Sequence, residues 1–141
     1  KPSQEEREDS VHMKLSVLAA VVAGKRIVLV DDSIVRGTTM KNLVQMLKDA
    51  GAREVHVRIS SPPFRYPCYF GTDVSSGSEL IANRYSLDEI CRMLGADSLG
   101  YLDFRDLADM VKGLPICAGC FDSNYPMDIP EPKELPFWCG E

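Results

Sequence analysis

The run Arg26-Ile27-Val28-Leu29-Val30, halted by Asp31-Asp32, constrains this chain more than any other stretch. A short continuous apolar run rich in β-branched residues reads as a parallel strand buried on both faces, and the paired acids end it in a loop. After the loop, Met40, Leu43, Val44 and Leu47 share one helical face, and Gly51 closes that helix. Glu54 to Ile59 then alternates and is β-branched, as a second strand would. Strand, loop, helix and strand within about 34 residues make a βαβ unit, because parallel neighbours need a crossover connection. The fold class is α/β with a parallel sheet.

The flanks are mainly helical. Leu15, Leu18 and Val22 recur at helical spacing between Val11 and Val22, and Gly24 ends the helix they predict. Beyond Pro62-Pro63, Ser86-Leu87-Asp88-Glu89 is a capping-box pattern, and Leu87, Ile90, Cys91 and Leu94 form the inner face of the helix it opens. Asp103 caps a further helix whose Phe104, Leu107, Ala108 and Val111 are expected inside. Pro126, Pro130, Pro132 and Pro136 make the tail an extended wrap, with Phe137 and Trp138 anchoring it in a groove. There is no internal repeat or low-complexity tract.

Composition narrows the class. A chain of 141 residues with 45% hydrophobic and 26% charged residues forms one packed domain and is not wholesale disordered. Sixteen Lys and Arg against twenty-one Asp and Glu leave a net charge of −5, which argues against a general nucleic-acid binder. No apolar run approaches the ~20 residues of a membrane span. Lys1 to Ser10 is charged and has no signal core. The expected compartment is the cytoplasm. In that reducing setting five cysteines read as metal ligands or core residues better than as a disulfide framework. The chain opens at Lys1 inside a polar stretch, and we expect it to be part of a longer protein.

Residues 28–39 carry the chemistry: Val-Leu-Val-Asp-Asp-Ser-Ile-Val-Arg-Gly-Thr-Thr. Ligands of open α/β sheets sit at the carboxyl ends of strands. A helix start offers free N–H groups and partial positive charge, which favour phosphate. Gly37 lets the backbone approach an anion, and Ser33, Thr38 and Thr39 add hydroxyl donors. Asp31 and Asp32 repel phosphate, so they suit vicinal sugar hydroxyls or a bridging Mg²⁺. A sugar phosphate fits both halves. The alternative is an ordinary capped turn in which Asp31 and Thr38 only satisfy backbone groups. Neither a Walker loop nor Gly-x-Gly-x-x-Gly is present.

Cys117-Ala-Gly-Cys120 is a C-x₂-C pair in an irregular segment. Two thiolates at that spacing can hold a metal centre, but a redox dithiol or chance explains such a pair equally well. Cys68, in another loop, is a possible third ligand. Cys91 lies on an apolar helix face and reads as core. His12 and His56 read as structural or surface residues, and Cys139 has no assigned role.

Residues 28–39 resemble the phosphoribosyl pyrophosphate (PRPP) loop of type I phosphoribosyltransferases, and in this form the amidophosphoribosyltransferase family. Lys1-Pro2-Ser3-Gln4 with Arg7, Met13-Lys14-Leu15, Arg58 to Pro63, Pro67 to Gly71 and Gly95 to Leu99 carry the same resemblance. It implies a C-terminal part of the phosphoribosyltransferase core over 1–63, with a lid at 1–10 and the PRPP loop at 28–39. A helical extension with a cysteine-bearing tail follows over 64–141. It implies that Asp31 and Asp32 bind ribose hydroxyls and Mg²⁺. Ser33, Ile34, Val35, Arg36, Gly37, Thr38 and Thr39 then cradle the 5-phosphate, with Arg7 and Lys1 as pyrophosphate contacts. The implied reaction is displacement of pyrophosphate by glutamine-derived ammonia, which opens purine synthesis. One branch of the family holds a [4Fe–4S] cluster, here through Cys68, Cys117 and Cys120, with a fourth ligand outside this chain; zinc on the same thiolates is the chemical rival. Asp122-Ser123 departs from the more usual Thr-Gly of that branch. The resemblance further implies a separate N-terminal glutaminase portion, a homo-oligomer in the full-length form, and a segment inactive by itself. The other functional readings are a non-catalytic PRPP or nucleotide sensor and a metal-stabilised interaction domain.

Overall fold

The computed structural model describes residues 19–71 and 77–129. The lid at 1–10 with Lys1 and Arg7, His12, most of the first expected helix, and the tail with Phe137, Trp138 and Cys139 lie outside them. Residues 19–22 are helical and lead into the sheet.

Three strands form one parallel sheet in the order β1-β2-β3: β1 (Arg26–Asp31), β2 (Glu54–Ile59) and β3 (Ser98–Tyr101). Arg26 stands opposite Glu54, Asp31 opposite Ile59, and Ile59 opposite Tyr101, so the carboxyl ends of all three strands fall together. Helix α1 (Thr38–Asp49) is the crossover from β1 to β2. A 3₁₀ turn at Gly77–Glu79, α2 (Ile81–Arg84) and α3 (Leu87–Leu94) precede β3; α4 (Phe104–Met110) and α5 (Gly119–Asp122) follow it.

The core forms where α1 and α3 press on the sheet. Met40, Val44 and Leu47 of α1 meet Val55, Val57 and Ile59 of β2 and Ile90 and Leu94 of α3, with Ile27 and Leu29 of β1 packed against them. The α1 side chains stand at the spacing that puts apolar residues on one stripe. Both expected caps are present. Ser86 accepts from the Glu89 N–H while the Glu89 side chain accepts from the Ser86 N–H, and Asp103 accepts from the Arg105 N–H.

Four expectations need correction. Among the described residues β1 is half-buried on one face and open on the other: Val28 and Val30 are 62% and 65% exposed. Alternate strand residues point to opposite faces, and the described helices pack on the Ile27–Leu29 face. The other face carries a polar ladder instead. Arg26 Nε donates to Glu54 Oε2 at 2.7 Å, and His56 bridges Glu54 and Ser98 at 3.0 and 2.9 Å. His56, and after it Arg26, hold the Glu54 carboxyl below its usual range. The segment after residue 63 is not purely helical, since it supplies β3. Leu87 is half exposed: it shares the helical face of Ile90 and Leu94 but, as the first residue of α3, it opens onto a cleft instead of the core. No residue of α4 is buried: Phe104 and Ala108 line an open cleft that they share with Ile116 and Ala118, without closing on them. Among the described residues, no helix is long and apolar enough to cross a membrane.

Candidate functional site

The candidate site is the loop that joins β1 to α1. β1 delivers Asp31 to the carboxyl edge of the sheet, where the Asp31 carbonyl accepts from the Ser60 N–H at 3.0 Å and from Ser60 Oγ at 3.2 Å. The end of β2 thus clamps the exit of β1. Asp31 Oδ1 accepts from the Asp32 N–H at 2.9 Å, and Asp32 Oδ1 accepts from Ser33 Oγ at 3.0 Å. These bonds orient the two carboxylates and leave each a second oxygen.

The chain turns into α1 through Gly37, whose φ of 83° is left-handed. That conformation is strained for any residue with a Cβ. A Cβ here would also lie 2.9 Å from Ile81 Cδ1, so the end of that side chain would have to shift. No side chain caps α1, so its first turn keeps backbone N–H groups for a ligand. A capped-turn reading therefore holds for Asp31, which does satisfy a backbone group, and fails for Thr38. Asp31 through Met40 line one continuous cleft of about 500 Å³.

Two expected ligand residues turn inward. Ile34 is 3% exposed and belongs to the main core. Val35 packs on a second cluster built on Phe64 and Leu80. Their side chains are taken up in packing, so their offer to a ligand is main chain. Arg36 is in an ion pair with Glu79, and the Ile81 N–H donates to the Val35 carbonyl at 2.9 Å. The brace at residues 79–81 escaped the sequence reading because nothing local in the sequence signals a contact across 43 residues. Met40, counted there as core, also lines the cleft.

The cysteines converge at another place. The Cys120 carbonyl accepts from the N–H groups of Arg65 and Tyr66 at 3.0 and 3.1 Å, and Tyr125 Oη donates to the Pro67 carbonyl at 2.7 Å. These bonds lace the 64–71 loop to α5, so Cys68 and Cys120 pack on the same Phe64–Leu80 cluster. Burial, with the neighbouring Cys68 and Cys117 adding to it, pushes the Cys120 thiol up to about 11. Cys117 is exposed. Among the described residues, no three His, Cys, Asp or Glu side chains are grouped to hold a metal ion. The donors are thus of the right type and in one neighbourhood, without forming a closed ligand set. Cys91 packs against the core and donates to the Ala96 carbonyl at 3.3 Å, as its helix position predicted. A second cleft, of about 440 Å³ beside Pro62, Pro63 and Tyr101, shares no residue with the first.

Residues 1–60 match the phosphoribosyl transferase domain family. The amidophosphoribosyltransferase of Pyrococcus horikoshii is 58% identical over 85% of this chain and 27% of its own length. That of Bacillus subtilis is 48% identical over 96% of this chain and 30% of its own. The solved glutamine PRPP amidotransferase of B. subtilis, in complex with ADP and GMP, superposes with a TM-score of 0.76 at 47% identity, over 96% of this chain and 31% of that one. Across nearly its whole length the chain is similar to one segment of the amidophosphoribosyltransferases. It spans less than a third of the length of these amidophosphoribosyltransferases. Its three-stranded parallel sheet and crossover helices follow the phosphoribosyltransferase fold of the solved amidotransferases.

Proposed function

We propose that this chain is the PRPP-binding part of an amidophosphoribosyltransferase that transfers glutamine-derived ammonia to PRPP, giving 5-phosphoribosylamine and pyrophosphate. The observation that carries this reading is the uncapped start of α1, entered through Gly37 directly behind the Asp31–Asp32 pair, inside one cleft. Anionic and hydroxylic parts of one ligand are recognised there by opposite chemistries. N–H groups of the α1 start, with the Thr38 and Thr39 hydroxyls and that of Ser33 once it turns away from Asp32 Oδ1, donate to the 5-phosphate, assisted by the helix dipole. Asp31 and Asp32 accept from the ribose hydroxyls and fix the sugar.

In the reaction, a C–N bond forms at the anomeric carbon as the C–O bond to pyrophosphate breaks, and the attacking nitrogen then loses a proton. Positioning contributes much of the rate in such displacements, because a held ring presents one face to the nucleophile. The free carboxylate oxygens of Asp31 and Asp32 are hard donors of the kind that suits Mg²⁺. Bound there with the ligand, Mg²⁺ would neutralise charge on the departing pyrophosphate. Arg7 and Lys1, in the lid at 1–10, belong to the same proposal as pyrophosphate contacts and as a cover against water.

The thiolate set Cys68, Cys117 and Cys120 supports a second element of the proposal, a structural [4Fe–4S] cluster completed by a ligand outside this chain. Such a cluster would tie α5 to the 64–71 loop. Iron and sulfide analysis of anaerobically prepared protein tests it: about four irons per chain with matching sulfide support the cluster, and zinc without sulfide replaces it. The protein is further proposed to work in the cytoplasm, as a homo-oligomer and together with a glutaminase portion.

Turnover is the functional test. Pyrophosphate release from PRPP with ammonia as donor, by the protein that carries this segment, is the expected result. Tight PRPP binding without turnover would make it a sensor, and no binding would remove the proposal.

A further inference from the structure

We propose that Glu79 is a positioning residue for the phosphate loop, acting through Arg36; this rests on the PRPP reading above. The loop from Asp32 to Gly37 is anchored by the packing of Ile34 and Val35, and its polar side chains have few bonds to hold them. No side chain caps the helix it enters. The beginning of the loop is held by bonds among Asp31, Asp32 and Ser33 and by those from Ser60 to the Asp31 carbonyl. The second half is held from residues 79–81.

Three contacts do this within one short segment. Glu79 Oε2 pairs with Arg36 Nη2. The Ile81 N–H donates to the Val35 carbonyl at 2.9 Å. Ile81 Cδ1 fills the space where Gly37 lacks a Cβ. Between them Leu80 is 0% exposed and packs with Phe64 in the cluster that also receives Val35. Leu80 fixes the height of the segment, and Glu79 is the side chain that reaches from it to the loop's charge.

The sign of the effect separates positioning from plain electrostatics. Glu79 places a negative charge close to a site for an anion. Were charge its only influence, its removal would tighten phosphate binding. If Glu79 instead holds Arg36 and the loop in their gripping shape, its removal weakens binding. Both side chains are partly exposed, at 58% and 38%, so the expected loss is modest, about twofold to fivefold.

The test is calorimetric titration of PRPP with Mg²⁺ into the full chain and into Glu79→Gln, Arg36→Ala and the double variant. Loop amide shifts of Gly37 and Thr38 are recorded by NMR without ligand. We expect weaker binding in Glu79→Gln, partial recovery in Glu79→Asp, moved loop amides, and a double variant no worse than Arg36→Ala alone. Unchanged or tighter binding by Glu79→Gln, unmoved loop amides, or additive losses in the double variant overturn the positioning role while the PRPP reading stands. Failure of the unaltered chain to bind PRPP, with Asp31→Asn equally inert, removes the PRPP reading and this inference with it.

Discussion

Gly37 carries two demands at once, a left-handed backbone and the absence of a Cβ beside Ile81. Gly37→Ala meets neither. We expect it to lower stability by about 1–3 kcal/mol in a thermal or urea melt, and to weaken PRPP binding beyond what the melt accounts for. A variant with unchanged stability and affinity would show that the turn relaxes freely. The cysteines differ in a way that reagents can read. With its thiol pushed up from 9.0 to about 11 by burial and neighbouring sulfurs, Cys120 holds about 100-fold less thiolate at pH 8 than an ordinary thiol. In metal-free protein, mass spectrometry should find iodoacetamide on exposed Cys117 first and on Cys120 last; equal labelling would contradict the burial. Because the folded pKa is the higher one, this group's contribution to stability is complete below pH 9 and is lost as pH rises toward about 11.

Elements were legible where one local signal sufficed. Arg26 to Val30, the α1 stripe and the Ser86–Glu89 box each declare themselves within a few residues. β3 did not, since Ser98-Leu99-Gly100-Tyr101 is short, holds a glycine and has no β-branched residue. It is a strand because β2 offers it an open edge and because Asp97 ties its start to that edge. Asp97 Oδ2 accepts from the Val55 N–H at 2.7 Å and lies 3.4 Å from Lys48 Nζ. The Val55 bond first, and Lys48 after it, hold the Asp97 carboxyl below its ordinary 3.8. A lowered carboxylate pKa stabilises the fold above that ordinary value, and the contribution is lost as pH falls through the lowered one. Asp97→Ala should therefore cost about 1 kcal/mol at neutral pH, a difference that shrinks in acid. An equal cost at pH 7 and pH 2, read from urea melts, would assign the loss to something other than this bond. At the other helix, Ser86→Ala should cost about 1 kcal/mol by removing one half of a reciprocal cap.

Across the whole molecule, the paired acids, the glycine and the hydroxyls of the candidate site are contiguous in sequence and could be read there. Their support could not, because Ser60, Glu79 and Ile81 reach the loop only through tertiary packing. The open face of β1 has the same origin: apolarity of Val28 and Val30 states that a face prefers burial, not whether the described residues cover it. The nearness of Cys68 to Cys120 has no local signal either, since it follows from the bonds of Arg65 and Tyr66 to the Cys120 carbonyl, which hold that loop against α5. The central claim is that the β1–α1 loop grips a phosphorylated pentose through two acids and a helix start. Calorimetric titration of PRPP with Mg²⁺ into the unaltered protein, Asp31→Asn and Asp32→Asn tests it most directly. The account predicts binding that each substitution weakens by about tenfold or more; the same affinity in all three proteins would contradict it.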